Sequence, residues 1–269
     1  MTDVLDKYFK DIDFLVKGDE RSNNYMVAMH EAFYEFASKY VENKIVLDAG
    51  CGSAFGSSVL SRKGKKVIGI DIKPDLIDWA RNRYTDKNLN LQCMDCTNME
   101  FPDEYFDIIV CNELLEHLEN YKEFLREVTR TLKNGGIFLC ATVNSKYTFK
   151  KRDGSPRNKF HYQEFNIEDF SELLSVYFQK IEILGEKANS EFQHFMTHKP
   201  SRIIESIISK IKIKERIPVK YRRIVRELLS GKKVKRILSK DFFISSNSID
   251  EGIYLVGVCR NVKKCLKNE

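Results

Sequence analysis

No run of roughly eighteen uncharged apolar residues occurs in this chain, so the sequence offers no helix to span a membrane. Met1 to Asp19 carries acids throughout and lacks an apolar core, so it does not read as a secretory signal. Internal repeats and low-complexity tracts are also missing. The seven cysteines are an odd count, and Cys111, Cys140 and Cys259 sit inside apolar runs. Small buried side chains in a reducing compartment are used this way, which argues against a disulfide framework. The expected location is cytoplasmic.

What is present suffices for a large α/β domain. The chain has 269 residues, 42% of them hydrophobic, enough for a substantial core. The net charge of +6 is unevenly placed. Between Lys199 and Lys240 there are fifteen Lys or Arg against three Glu, about +12, so the remainder sums to about −6. A mildly acidic body carries a strongly basic module.

From Lys44 onward short apolar runs alternate with amphipathic stretches, the pattern of βαβ units and a mostly parallel sheet. The runs are Ile45–Ala49, Val67–Ile70, Leu89–Cys93, Phe106–Cys111 and Ile137–Thr142. Pro74–Tyr84 and Tyr121–Leu132 have helical spacing, the second ending at Asn134-Gly135-Gly136. Lys146–Lys159 reads as a loop, Ile167–Tyr177 as a helix, and Lys180–Leu184 and Ile253–Cys259 as strands. Upstream, Tyr25–Tyr40 reads as a helix. The expected division is an N-terminal helical cap (1–43), an α/β core (44–198), a basic helical insertion (199–240) and a closing strand with tail (241–269).

The segment Val46-Leu47-Asp48-Ala49-Gly50-Cys51-Gly52-Ser53-Ala54-Phe55-Gly56 follows a strand and opens a helix. Glycines there allow unusual φ and let the backbone approach a ligand closely. A second strand then ends in Asp71, where an acid can accept hydrogen bonds from both hydroxyls of a ribose. This describes any nucleoside-containing cofactor on such a sheet. The spacing Gly50-x-Gly52-x-x-x-Gly56 differs from the G-x-G-x-x-G of a dinucleotide turn. Asp48 inside the turn would repel a pyrophosphate but suits a ligand with an ammonium group and a sulfonium.

With these residues in place, the chain resembles a class I S-adenosylmethionine-dependent methyltransferase of the methyltransferase type 11 family, over approximately residues 25 to 185. Val46–Gly52 resembles the family's VLDxGCG signature and Ile68–Asp71 its second acidic strand end. Cys93–Cys96, Phe101–Asp107, Asn112–Leu118 and Leu132–Gly136 resemble its later motifs, in order and at family spacing. The resemblance implies a Rossmann-like, mostly parallel seven-stranded sheet with helices on both faces and the basic helical insertion before the last strand.

It also implies S-adenosyl-L-methionine as cofactor. Ala49, Gly50 and Gly52 would line the methionine moiety, with Asp48 facing its ammonium directly or through water. Asp71 would hold the ribose and Ile72 would lie against the adenine. Asp95 would meet the adenine amine beside Cys96, and Asn112 would add backbone contacts. Ala54 stands where the family usually carries glycine; an alanine fits if its φ is negative, so the turn should survive with a slightly different shape.

Methyl transfer to a hydroxyl needs donor and acceptor aligned and a proton removed, and histidine is the natural base near neutral pH. His117 follows Glu116 in the loop after strand four, where it faces the mouth of the site or orients the loop. His161 lies in Asn158–Phe165, which resembles an NPFHxxEF element of a subgroup often found with glycan-building proteins, with Lys159 at the proline position. His161 and His117 are the candidate catalytic residues, and His161 also a candidate substrate contact. His30 and Tyr34 resemble the EHxxRY pattern on that subgroup's N-terminal helix, with Phe33 in place of the arginine. Tyr25 and Tyr34 are candidate substrate-binding lid residues. Cys93 and Cys96 form a CxxC, but no second pair completes a zinc site, so no metal is expected.

The expected reaction is O-methylation, or N-methylation, of a small molecule or glycan. In 199–240, Ile203, Ile204, Ile207, Ile208 and Ile211 form a helical stripe ringed by Arg202, Lys210 and Lys212. This module reads either as a cap on the core or as a docking surface for an anionic membrane surface or a phosphate-bearing partner. RNA methylation is the alternative, disfavoured by sparse aromatics in the module and by the missing NPPY-type tetrapeptide. A non-catalytic scaffold that keeps the fold but has lost turnover is a third reading, disfavoured by the intact Asp48, Gly50, Gly52 and Asp71.

Overall fold

The computed structural model describes residues 24–148, 150–151, 153–189 and 238–263, and of Asn24 and Tyr25 the backbone only. Helix α1 (Asn24–Ala37) leads into β1 (Ile45–Ala49), α2 (Phe55–Ser61), β2 (Lys66–Asp71), α3 (Pro74–Arg83) and β3 (Leu89–Cys93). Then follow β4 (Phe106–Asn112), a 3₁₀ turn at Leu115–His117, α4 (Tyr121–Thr131), β5 (Leu132–Val143), α5 (Ile167–Tyr177) and β6 (Phe178–Ala188). Strands β7 (Phe242–Ser245) and β8 (Tyr254–Val262) close the sheet.

The strands lie in the order β3-β2-β1-β4-β5-β8-β6-β7. Strands β1 to β5 pair in parallel, while β8 runs antiparallel between β5 and β6. The order reverses between β1 and β4, so their carboxyl ends open a crevice for a ligand. Alternation along β1 divides the core. Leu47 and Ala49 face the layer of α4 and α5, with Phe124, Val128, Phe170 and Leu174. Val46 faces α1 and α2, with Phe33, Val59 and Leu60.

The α/β class, parallel core and helices on both faces agree with the sequence reading. The strand count does not: the sheet has eight strands. The additional β7 pairs antiparallel with the outer edge of β6, from Gly185↔Ser245 to Ala188↔Phe242. Four residues carry too little alternation to be told from a loop; the free edge of a long β6 selects them.

The helical stretches read at Arg202–Ile211 and Tyr221–Leu229, with His194 and His198, lie outside the described residues, as does the side chain of Tyr25. Among the described residues no helix is long and apolar enough to cross a membrane.

Candidate cofactor and acceptor site

The turn after β1 is built on left-handed backbone. Gly50 and Gly52 adopt φ of +70° and +53°. Glycine at position 50 is required by its left-handed conformation, and a Cβ there would also press on the Leu114 side chain at 2.8 Å. Ala54 contradicts the expected negative φ: it sits at +59° as the N-cap of α2. Entry into α2 straight from the tight turn requires that conformation, and an alanine there costs about 1–2 kcal/mol. The third glycine serves packing. A Cβ on Gly56 would lie 2.1 Å from Tyr34 Cζ, so the Tyr34 ring lies directly against this backbone.

Asp48 lies beneath the turn, on the α1–α2 side of β1, with no exposed surface. Its Oδ1 accepts from the Tyr34 hydroxyl at 3.0 Å and its Oδ2 from Ser57 Oγ at 2.6 Å. Burial pushes its carboxyl up to about 7, against the lowering effect of these two donors. Each oxygen thus accepts one hydroxyl, and Asp48 ties α1 and α2 to the turn. Tyr34 is correspondingly a correction to the lid reading. It is 4% exposed and packs edge-on against Phe33 and Phe55 within the core.

Asp71, at the end of β2, accepts the backbone N–H of Gly52 on Oδ2 and that of Lys73 on Oδ1, both at 3.0 Å. These bonds fix the carboxylate at the rim of the turn. Ile72 beside it is 63% exposed, an apolar face that a planar base would cover. Asp95 is exposed, and its Oδ1 accepts from Thr97 N and Oγ1. Cys96 is buried, its thiol pushed up to about 12 by burial and then by Asp95, whereas Cys93 is exposed. Asn112 ends β4 with a buried Nδ2 that has no hydrogen-bond partner. A buried amide without an acceptor is costly and points to a ligand group.

Beyond β4 a second group of ionisable side chains converges. Glu113 (φ +51°) and His30 on α1 bring carboxylate and imidazole to 2.9 Å, off-line for a hydrogen bond. Burial works to raise Glu113, but facing His30 holds it below the usual carboxylate value. Glu116 is fully buried, accepting from Thr142 Oγ1 at 3.0 Å and Val143 N at 3.4 Å. Burial, then Glu113, push it up to about 7.

His117 Nδ1 meets the Phe160 carbonyl at 3.0 Å, and burial lowers its pKa. His161 Nδ1 meets Glu164 Oε1 at 2.9 Å and its Nε2 meets Asn158 Nδ2 at 2.8 Å. Burial opposes charge on His161, but the Glu164 bond prevails and raises its pKa. The rings of His117 and His161 stand edge to face, centroids 4.8 Å apart.

The structure therefore gathers Ala49, Gly50, Gly52, Asp71 and Ile72 at one end of the crevice. His117 and His161 come together with Glu116 after β4. The sequence reading had singled out neither Glu113, Glu116 nor Glu164. Glu113-Leu114-Leu115-Glu116-His117 held the available signal: three ionisable side chains within five otherwise apolar positions.

A glycine-bearing turn, the carboxylate of Asp71 and the uncovered Ile72 stand together at a switch-point crevice of a Rossmann-like sheet, where a nucleoside cofactor would fit. The family described as "Methyltransferase domain" matches residues 47–140. A protein of Mycolicibacterium smegmatis named "Probable S-adenosylmethionine-dependent methyltransferase" is 31% identical over 153 residues, 57% of this chain and 58% of that protein. A ubiquinone biosynthesis O-methyltransferase of Coxiella burnetii is 35% identical over 117 residues, 40% of this chain and 50% of that protein. The chain thus spans little more than half the length of these relatives. In fold, it is similar to a SAM-dependent methyltransferase of Thermotoga maritima, with TM-score 0.57, 14% identity and coverage of 90% and 92% of the two chains. Residues 47–140 thus match a methyltransferase domain, and the chain is similar to S-adenosylmethionine-dependent methyltransferases, which implies S-adenosylmethionine as the cofactor.

Proposed function

We propose that this chain transfers the methyl group of S-adenosylmethionine to an oxygen of a small-molecule or glycan acceptor. The observation that carries this reading is the cluster of Glu116, His117 and His161 just past the end of β4. The bound cofactor supplies an activated methyl on a sulfonium. The chain's own residues have two tasks, alignment and loss of the acceptor's proton.

Gly50, Gly52 and Asp71 hold the donor; the unpartnered Asn112 amide has an acceptor to find among its atoms. Asp48 reaches the ammonium only through the turn or a water, since it lies beneath the turn with no exposed surface. His117 donates Nδ1–H to the Phe160 carbonyl, which leaves the basic lone pair on Nε2, and burial keeps the ring neutral. His161 and Glu164 position that ring from the other side. The Coxiella relative's name supports oxygen as the acceptor atom.

The buried free thiols Cys111, Cys140 and Cys259 suit a cytoplasmic setting. The basic composition of residues 199–240 suits an anionic acceptor or peripheral contact with an anionic surface. Incubation of the protein with labelled cofactor and fractionated metabolites, glycans and RNA tests the reading. Label in the small-molecule or glycan fraction is expected; label in RNA alone would overturn it.

A further inference from the structure

We propose that Glu116, His117 and His161 form a binding site for one divalent first-row cation, of the zinc or manganese kind. Each residue offers one ligand atom, and the three atoms lie within 4.8 Å of one another. The two imidazoles are set up alike. Each has Nδ1 against an oxygen acceptor, the Phe160 carbonyl for His117 and the Glu164 carboxylate for His161. That places the proton on Nδ1 and the lone pair on Nε2, the arrangement that orients a metal-binding histidine and strengthens it as a ligand. Glu164 is itself fixed by Thr148 and Lys150.

Glu116 supplies the charge. It is fully buried, yet its hydrogen-bond partners are neutral, a hydroxyl and a backbone amide. Each of its oxygens keeps a further lone pair for a cation. A second, independent sign lies beside it: Glu113 Oε1 is buried without a hydrogen-bond partner. A buried acid left in this state calls for a cation or a donor.

Two imidazoles and one carboxylate favour zinc, manganese or iron over magnesium or calcium, which prefer all-oxygen sets. Three protein ligands also leave a position open, as catalytic sites do. Bonds of about 2.1 Å at tetrahedral angles put ligand atoms about 3.4 Å apart, so the cluster needs side-chain movements of about 1 Å to close. His161 would exchange its contact with the exposed Asn158 amide for the cation.

The chemical role rests on the methyl-transfer reading. An acceptor hydroxyl at the open position would lose its proton to water. Its oxygen would then form the new C–O bond as the C–S bond of the sulfonium breaks, and the thioether would leave neutral. Without a cation, His117 takes that proton directly.

The test uses the full chain, stripped with EDTA and titrated with Zn²⁺ by calorimetry and with Co²⁺ by visible absorption. One equivalent is expected, with d–d bands of nitrogen and oxygen ligation. His161→Gln and Glu116→Gln should each weaken binding about 100-fold or more, since loss of a mere orienting partner costs about 10–100-fold. Glu164→Ala, which removes only an orienting partner, should weaken it about tenfold and serves if the others fail to fold. Absence of stoichiometric binding, or full affinity in the variants, overturns the site. Undiminished methyl transfer by stripped protein overturns its chemical role and leaves the methyl-transfer reading standing. Metal bound at these residues with no labelled acceptor supports the site and overturns that reading instead.

Discussion

Tyr34 on α1 donates its hydroxyl to Oδ1 of Asp48 on β1 at 3.0 Å, inside the core. The N-terminal helix is thereby joined to the strand that carries the cofactor turn, and Gly56 makes room for the ring. Removing one partner would leave a buried carboxylate oxygen bare, a loss of about 1–3 kcal/mol. Tyr34→Phe should lose about that much stability in urea denaturation and bind S-adenosylmethionine more weakly in calorimetry. Unchanged values for both would show that the bond contributes nothing.

The same carboxyl makes stability depend on pH. Asp48 is pushed up to about 7 by burial, so the folded protein holds a proton there that the unfolded chain has released. Its contribution is fully present below pH of about 4 and is lost as pH rises through about 7, with a slope of up to about 1.4 kcal/mol per pH unit. Glu116, also at about 7, adds to the same slope. Asp107 and Glu164, held low, act in the opposite sense, and only as pH falls through their own lower values. Melting temperature should therefore decline between pH of about 5 and 8, and Asp48→Asn should flatten that decline. An unaltered slope in the variant would rule out Asp48 as its source.

Two neighbouring positions should respond in opposite directions. Ala54→Gly relieves the left-handed strain, worth about 1–2 kcal/mol, at an entropic loss of about 0.4–1 kcal/mol. A net gain of about 0.5–1 kcal/mol is expected, read as a higher melting temperature.

Gly56→Ala does the reverse. Its Cβ would press within 2.1 Å of the Tyr34 ring, which has nowhere to go inside a packed core. A loss of about 2–3 kcal/mol is expected by denaturation, with reduced cofactor affinity. A neutral effect would mean that α1 moves freely against α2.

At the proposed cofactor site, Asp71→Ala removes the acceptor for Gly52 N–H and Lys73 N–H and, on the proposed reading, the group that would hold the ribose. Cofactor affinity should fall at least about tenfold, given that hydrogen bonds to charged groups are worth about 1.5–3 kcal/mol. His161→Ala should instead lower kcat while cofactor affinity stays close to that of the parent. Loss of both together would make His161 a structural residue only.

Most strands were legible because each holds a short apolar run closed by a turn, whereas the pairing of β1 with β4 and of β8 with β5 and β6 joins strands that are not consecutive. Residues 45–49, 89–93 and 167–177 hold the elements read from their periodicity. The left-handed turn after β1 was legible for the same local reason, since Gly50 and Gly52 mark it by spacing. Tyr34 was misread because an aromatic on an amphipathic helix looks the same whether it closes a site or fills a core.

The sequence by itself thus determined the parallel sheet, the turn and the acid that follows it, all set by residues close together along the chain. Only the tertiary structure decided which histidine nitrogen faces which oxygen, that His117 meets a carbonyl 43 residues away, and that Asp48 spends both oxygens on hydroxyls. Those choices depend on how α1 and the loop after β5 pack over the ends of β1 and β4. Packing joins residues that no local pattern connects, and burial then sets their protons.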